Sequence, residues 1–305
     1  MAIQREIWLR DIVEGLFADN SFASKAVNDD QWVNQGKKVH IPNAGAPSKV
    51  VKNRSTVPAT AAKRTDADVE YTLDEFTTDP ILIPHADMVE LSYNKRNSVI
   101  SQDRAQLIET ACQNLLYKWA PASTNFVRTT GAAAPAHTTS ATGDRKKLTK
   151  NDVKSLMVKF NKDNIPQTGR YLLLDAEMFA ELLESMTETD QLGFFRTADV
   201  QRGIIGQLYG FNVMQRSQVL RYATRGTLTE FEKTGAATDN AAGLAWHEQS
   251  VSRALGEVKM FDENDSPVYY GDVYSFLVRC GGAIRRNDKK GVYAIVQDVA
   301  AGAGA

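Results

Sequence analysis

Between Pro42 and Asp68 the chain holds almost nothing that a core could use. The large apolar side chains there are Val50, Val51 and Val57, set among three prolines, scattered alanines and five basic residues. Strand-like runs flank the stretch, Lys38–Ile41 before it and Val69–Leu73 after it, with apolar residues at every second position. Loops of this length are uncommon inside compact domains and are usually functional or disordered. The pattern predicts a polar hairpin extended away from the body, suited to contact with a neighbouring subunit rather than to catalysis.

The remaining chain can build a body for such a hairpin. Its 305 residues are 43% hydrophobic and 24% charged, enough for a sizeable core or two small ones. With 36 basic and 37 acidic residues the formal net charge is -1, which argues against a dedicated nucleic-acid or membrane-surface binder. Cys112 and Cys280 cannot make a disulfide scaffold; they fit a reducing compartment and read as two buried small hydrophobes. Residues 3–17 interleave Arg5, Glu6, Arg10, Asp11 and Glu14 with apolar residues, which excludes a signal-peptide core or a membrane span. The same segment reads as a short amphipathic helix with Trp8, Ile12 and Leu16 on one stripe. Phe22 and Trp32 follow as isolated anchors in polar sequence. Both an arm docked on a neighbour and a terminal helix packed on its own domain have this pattern.

Beyond a third strand candidate at Thr78–Ile83, helical spacing runs from about Ser98 to Trp119 through Ile100, Leu107, Ile108, Ala111, Cys112, Leu115 and Leu116. Pro121 ends it, giving a strut roughly 33 Å long at 1.5 Å per residue. Thr124–Lys147 is rich in Thr, Ala and Gly and reads as an exposed loop. Thr149 and Asp152 make a capping box for a helix buried through Val153, Leu156, Met157 and Phe160. A short strand at Arg170–Leu174 leads to a helix capped by Asp175 and buried through Phe179, Leu182, Leu183 and Met186. The strand Phe211–Met214 completes a small α/β layer. After a loop at Gly235–Gly243 come strands at Leu244–His247, Val258–Phe261, Tyr269–Cys280 and Val292–Val296. Both alternating sets of Tyr269–Cys280 are largely apolar, which places that strand in the middle of a sheet, covered on both faces.

The residues form no catalytic constellation. His40, His85, His137 and His247 are far apart in sequence and none stands in a metal-ligand spacing. Asp262–Ser266 resembles the opening of a calcium loop, but Pro267 and Val273 occupy the positions that need glycine and a carboxylate, so an acidic surface turn is expected. The glycines at 203, 206 and 210 match neither a phosphate loop nor a dinucleotide fingerprint. Arg285–Lys290 reads as a solvated basic hairpin tip, with packaged DNA or an acidic neighbour as the alternative contact.

The order of parts is an N-terminal arm, an extended hairpin, a long helix, a compact α/β unit and a return to long C-terminal strands. That order resembles the major capsid proteins of tailed bacteriophages, the Hong Kong 97 type of coat fold. The wording of Phe76–Pro80, Gly169–Leu174, Arg253–Val258 and Tyr269–Arg279 is similar to capsid subunits of phages of Bacteroidetes-type hosts.

The resemblance implies an α+β fold. Residues 1–35 would be the arm and 36–84 the extended loop with its strands. Residues 85–148 would form the peripheral domain around its spine helix, and 149–242 the axial domain. Residues 243–299 would complete both sheets, with 300–305 a flexible tail.

It also implies a structural protein without catalysis or cofactor, assembling as hexamers and pentamers into an icosahedral virion shell around double-stranded DNA. Assembly would take place in the host bacterial cytoplasm, with scaffolding, portal and decoration proteins as partners and no membrane. With the arm starting at Met1 there is no room for a cleaved scaffolding segment, so any scaffold would be separate. Some relatives crosslink lysine to asparagine; Lys49, Lys52 and Lys63 lie in the loop, but no partner or catalytic carboxylate for such a bond is identified. The inter-subunit contacts would involve Trp8, Phe22, Trp32, Lys49, Lys52, Arg54, Lys63 and Arg64. An encapsulin-like compartment shell and a cytosolic α/β enzyme are the alternative readings.

Overall fold

The computed structural model describes residues 21–33, 38–45, 47–55, 57–58, 61, 63–85, 95–138, 140–223, 226–229 and 234–300. The amphipathic segment 3–17, Trp8 included, lies outside them.

The N-terminal part supplies β1 (Val27–Asn28), β2 (Lys38–Asn43), β3 (Ala67–Thr72), β4 (Asp74–Thr77) and β5 (Ile81–Pro84), followed by the helix α1 (Lys95–Trp119). The expected strand Thr78–Ile83 begins only at Ile81, as β5, and β4 lies before it, because Asp79-Pro80 breaks the ladder between the two. The middle part holds β6 (Phe126–Arg128), β7 (Ala133–Pro135), β8 (Asp144–Lys146), α2 (Lys150–Lys162), β9 (Arg170–Leu174), α3 (Ala176–Glu184) and α4 (Glu188–Phe195). Strands β10 (Gly206–Leu208), β11 (Phe211–Gln215), β12 (Leu220–Tyr222) and β13 (Asn240–His247) precede the long pair β14 (Val251–Ser266) and β15 (Gly271–Ile284), and β16 (Val292–Val296) is last. No described helix is long and apolar enough to cross a membrane.

Two sheets organise these elements into an α+β fold. The first runs β1-β14-β15-β4, with β5 also on β15; the second runs β10-β11-β9-β13-β16-β6, with β12 on β13. Helix α1 lies on the first sheet through Leu107, Ile108, Ala111, Cys112, Leu115 and Leu116, which meet Tyr274, Phe276, Val278 and Cys280 of β15 in one core cluster. The outward set of β15 (Val273, Ser275, Leu277, Arg279) is only half-buried, so the strand is central in its sheet but covered on one face alone. Trp119 closes α1 against the second sheet, its ring centroid 5.7 Å from that of Trp246 in β13. The second sheet buries its other face against α2 and α3 through Leu156, Phe160, Met178, Leu182 and Phe211.

Residues 124–147 are not the exposed loop that their composition implies. Phe126 and Val127 are buried, β6 pairs in parallel with β16, and β7 and β8 form a small ribbon. Sheet membership therefore puts residues 126–128 with the second sheet. Asn240–Gly243 likewise leaves the expected loop for the buried strand β13; a Cβ on Gly243 would stand 2.6 Å from Leu174 Cδ2, so the strands need glycine there.

Asp152 accepts from both the backbone amide and the hydroxyl of Thr149 at 2.9 Å, and Asp175 accepts from the Met178 amide at 2.7 Å, so both helix starts form as the sequence indicates.

Candidate assembly surfaces

The β2–β3 ribbon is in register from Lys38↔Thr72 to Asn43↔Ala67, which leaves residues 44–66 as the excursion beyond it. Alternation buries Val39, Ile41 and Tyr71 against Ala254 of β14, while the other face carries Lys38, paired to Glu70, and His40, 2.9 Å from Asp68. Asn43 fixes the end of the ribbon: its Nδ2 donates to the Arg285 carbonyl at 2.9 Å. The excursion itself is solvent-facing, with Val50 94% exposed and Val57 81% exposed.

Within it, Arg64 is 2.6 Å from Asp66, which also accepts from the Gly45 amide at 2.8 Å. That carboxylate lies below its usual range because it accepts from the Arg64 side chain and then from the Gly45 amide. Arg64 is thus partnered within its own loop, unlike the free cation the sequence implies. Lys49, Lys52 and Arg54 are exposed, as is Lys63, and none pairs with an acidic group among the described residues. Trp32 is 61% exposed on a short turn before β2.

Phe22 has a different place. It is buried in its own chain, 6.0 Å from Trp119 edge to face, with the Arg216 guanidinium 5.6 Å from its ring. A side chain already enclosed in this way is an intramolecular anchor, which corrects its expected role as a subunit contact.

A second surface was not legible in the sequence. At the far end of the first sheet, β14 turns into β15 with Val268, Tyr269 and Tyr270 exposed, Tyr270 to 81%. Alternation placed both tyrosines on packed faces of a strand; they stand instead on the turn before β15 begins at Gly271. Asp262, Glu263 and Asp265 are exposed beside them, and Asp272 braces the turn by accepting from the Asp265 amide at 2.9 Å and the Tyr274 hydroxyl at 3.0 Å. One end of the sheet is therefore acidic and aromatic, and the loop rooted at the other end is basic. From Gly271 to Ala283 the distance along the strand is about 40 Å at ~3.4 Å per residue, so the loop and the tip of one chain are set apart.

Arg285–Lys290 also differs from expectation. It joins β15 of one sheet to β16 of the other, so it is a crossover and not a hairpin tip. Arg286 is held by Asp288 at 2.6 Å, and Arg285 lies 3.7 Å from Asp29, so part of its positive charge is already matched.

Among the described residues one cluster has a metal-like composition. His137, Asp175 and Glu177 each bring a ligand atom within 4.8 Å of the others. Sequence spacing gave no hint of it, because the loop after β7 delivers the histidine to the start of α3. Burial pushes the Asp175 carboxyl up to about 6, opposed by the hydrogen bond from the Met178 amide.

No family model matches the chain, and no curated protein matches it. Solved structures do. The capsid of Ralstonia phage GP4 is similar at a TM-score of 0.63 and 11% identity, covering 92% of this chain and 89% of that one. The capsid of cyanophage P-SCSP1u gives 0.61 and 18%, covering 89% and 85%. A virus-like particle from Pyrococcus furiosus gives 0.54 and 8%, covering 96% and 99%. At these identities the likeness is one of fold, and the fold is the Hong Kong 97-like coat fold that the element order resembles.

Proposed function

We propose, from the coat fold of this chain, that it is the structural major capsid subunit of a tailed bacteriophage, assembling as hexamers and pentamers into an icosahedral shell around double-stranded DNA. The observation that carries this reading is the match to phage capsids over about nine-tenths of both chains, joined to an excursion whose described large apolar side chains, Val50, Val51 and Val57, are exposed. On this reading α1 is the spine of the peripheral unit, and the second sheet with α2–α4 is most of the axial unit.

The contact follows from charge and position. The loop of one copy, carrying Lys49, Lys52, Arg54 and Lys63, lies along the first sheet of the next and meets Asp262, Glu263, Asp265 and the exposed Tyr269 and Tyr270. Two different patches meeting head to tail form a heterologous contact, which closes into a ring when the rotation between neighbours divides a full turn. Aromatic anchors surrounded by charge are the composition of interface hot spots. Trp32 and the segment bearing Trp8 add to this surface. Portal, scaffold and decoration proteins would be further partners, DNA a non-specific one through Lys289 and Lys290, and host cytoplasm the place of assembly.

A second reading, a protein compartment that holds cargo enzymes, is favoured by the length match to the Pyrococcus furiosus particle. Electron microscopy of purified assemblies with analysis of their contents tests both: shells with DNA support the capsid, shells with protein cargo support the compartment. A monodisperse monomer at high concentration with scaffold present would overturn both.

A further inference from the structure

The His137 cluster is built more completely than its three members indicate. Nε2 of His137 is 3.0 Å from Oε1 of Glu181, whose other oxygen accepts from the Leu148 amide at 2.8 Å. Both side chains are largely enclosed. A proton on Nε2, donated to Glu181, leaves the lone pair on Nδ1. A carboxylate on the far nitrogen is the arrangement that orients metal-ligating histidines and raises their basicity. Asp175 uses Oδ1 to cap α3 at 2.7 Å from the Met178 amide, which leaves Oδ2 for another partner. Glu177, two residues on in the first turn of α3, is exposed and already brings a carboxylate oxygen within 4.8 Å of the other two ligand atoms.

An independent observation comes from β16's end. Gln297 is fully buried, its amide nitrogen lies 3.0 Å from Nε2 and 3.4 Å from Nδ1 of His137, and its Oε1 has no hydrogen-bond partner. With the Nε2 proton given to Glu181, an amide N–H pointed at Nε2 meets no acceptor. The terminal amide is assigned only by such partners; turned over, its carbonyl oxygen stands nearest Nε2 and supports the proton there, which leaves Nδ1 as the lone-pair nitrogen. Thr138 Oγ1, also buried without a partner, lines the adjoining cavity of about 170 Å³ together with His137, Asp175 and Glu177. A buried hydroxyl without a partner beside a histidine and two carboxylates fits a cation.

We propose that His137 Nδ1, Asp175 and Glu177 form a binding site for a first-row divalent metal ion, with water completing its coordination. One imidazole with oxygen donors suits Zn²⁺ or Mn²⁺ rather than Mg²⁺ or Ca²⁺. The two carboxylates balance the charge of the ion, and Glu181 holds the histidine ring. The bound metal clamps the loop after β7 to the start of α3, beside the His137–Glu181 contact that already joins them. The proposal does not depend on the shell reading.

The test is thermal unfolding of the full chain, stripped with chelator and then titrated with ZnCl₂ or MnCl₂. The midpoint is expected to rise with metal concentration, as binding to the native state alone requires. Glu177→Gln, at an exposed position, should fold as the parent does and lose most of that rise, and His137→Gln should lose it too. Cobalt absorption provides a readout that does not depend on stability: Co²⁺ should give a d–d spectrum with the parent chain and a weaker one with Glu177→Gln. No rise and no cobalt spectrum at millimolar metal would overturn the site. A rise of equal size in parent and variants would mean adventitious binding elsewhere and would overturn it equally.

Discussion

The indole N–H of Trp119 donates to the main-chain carbonyl of Ser252 at 2.9 Å, across a gap that Gly282 keeps open. A Cβ on Gly282 would stand 2.4 Å from both Leu115 Cδ1 and the Ser252 oxygen, and 2.9 Å from the indole nitrogen. The oxygen belongs to the backbone and cannot step aside. Gly282→Ala is therefore expected to lift α1 and to cost about 1–3 kcal/mol, as overpacked cores do. Urea unfolding of the variant measures it, and an unchanged midpoint would mean that the helix does not seat on this strand.

Cavities along α1 should cost more than lost caps. Leu116 is fully buried, so Leu116→Ala should destabilise by roughly 2–5 kcal/mol. Thr149→Ala, which loses the hydroxyl at the start of α2, should cost about 1 kcal/mol. Equal effects in the same unfolding assay would contradict the burial of Leu116.

The excursion separates folding from assembly. Replacing residues 45–66 by a short Gly-Ser turn removes exposed side chains and the local Arg64–Asp66 pair. Loop-closure entropy changes by only about 0.6 kcal/mol per doubling of length. The circular dichroism and melting point should stay close to those of the intact chain while shells disappear from micrographs. Unfolding of the shortened protein would show that the segment belongs to a core; normal shells would remove the loop from the interface. Tyr270→Ser at the opposite tip should weaken assembly in the same way. High salt should weaken it too, since exposed charges are screened over about 10 Å at 0.1 M.

The thiols should be silent in the folded state. Burial pushes the Cys280 thiol up to about 12, and Cys112 is buried beside it in the same cluster. Iodoacetamide at pH 8 should label neither cysteine in the native protein and both in urea, as read by mass spectrometry. Fast native labelling would place them at the surface.

Asp190 reports on the contact between α2 and α4. Hydrogen bonds from Lys150, 2.6 Å away, and from Thr187 lower its carboxyl to about 2 from 3.8. Because the folded value is the lower one, the carboxylate's stabilisation is present above pH 3.8 and is lost as pH falls through 2. A carboxyl titration by NMR should show the depressed midpoint at low salt, and Lys150→Gln should raise it. The pair is exposed, so salt should shrink the shift.

The parts that were legible in the sequence share a physical cause. Arg170–Leu174 and Val292–Val296 have the expected bounds because each is largely apolar and buried along its whole length. The loop declared itself by lacking apolar residues, and α1 by its helical spacing. The long strand β14 was visible only at 258–261, because a register shift between Leu255 and Val258 interrupts its alternation. Strands β6–β8 hid in Thr- and Ala-rich sequence, β6 because its partner β16 is far along the chain, β7 and β8 because each is three residues long and they meet in a short local ribbon. The surface tyrosines were misread because alternation alone does not say where a strand starts. The His137 cluster left no local trace, since its members meet only after the second sheet is formed.

The placement of β16 between β13 and β6 also sets a schedule for synthesis. Phe126 pairs in register with Ala294, so β6 has no partner strand until nearly the whole chain has been made. At ~5–20 residues per second the wait between the two is roughly ten to thirty seconds. Throughout it the nascent chain carries an open strand edge and an uncovered aromatic surface. The subunit is thus most exposed to aggregation while still on the ribosome, and a chaperone acting there would guard this unfinished sheet.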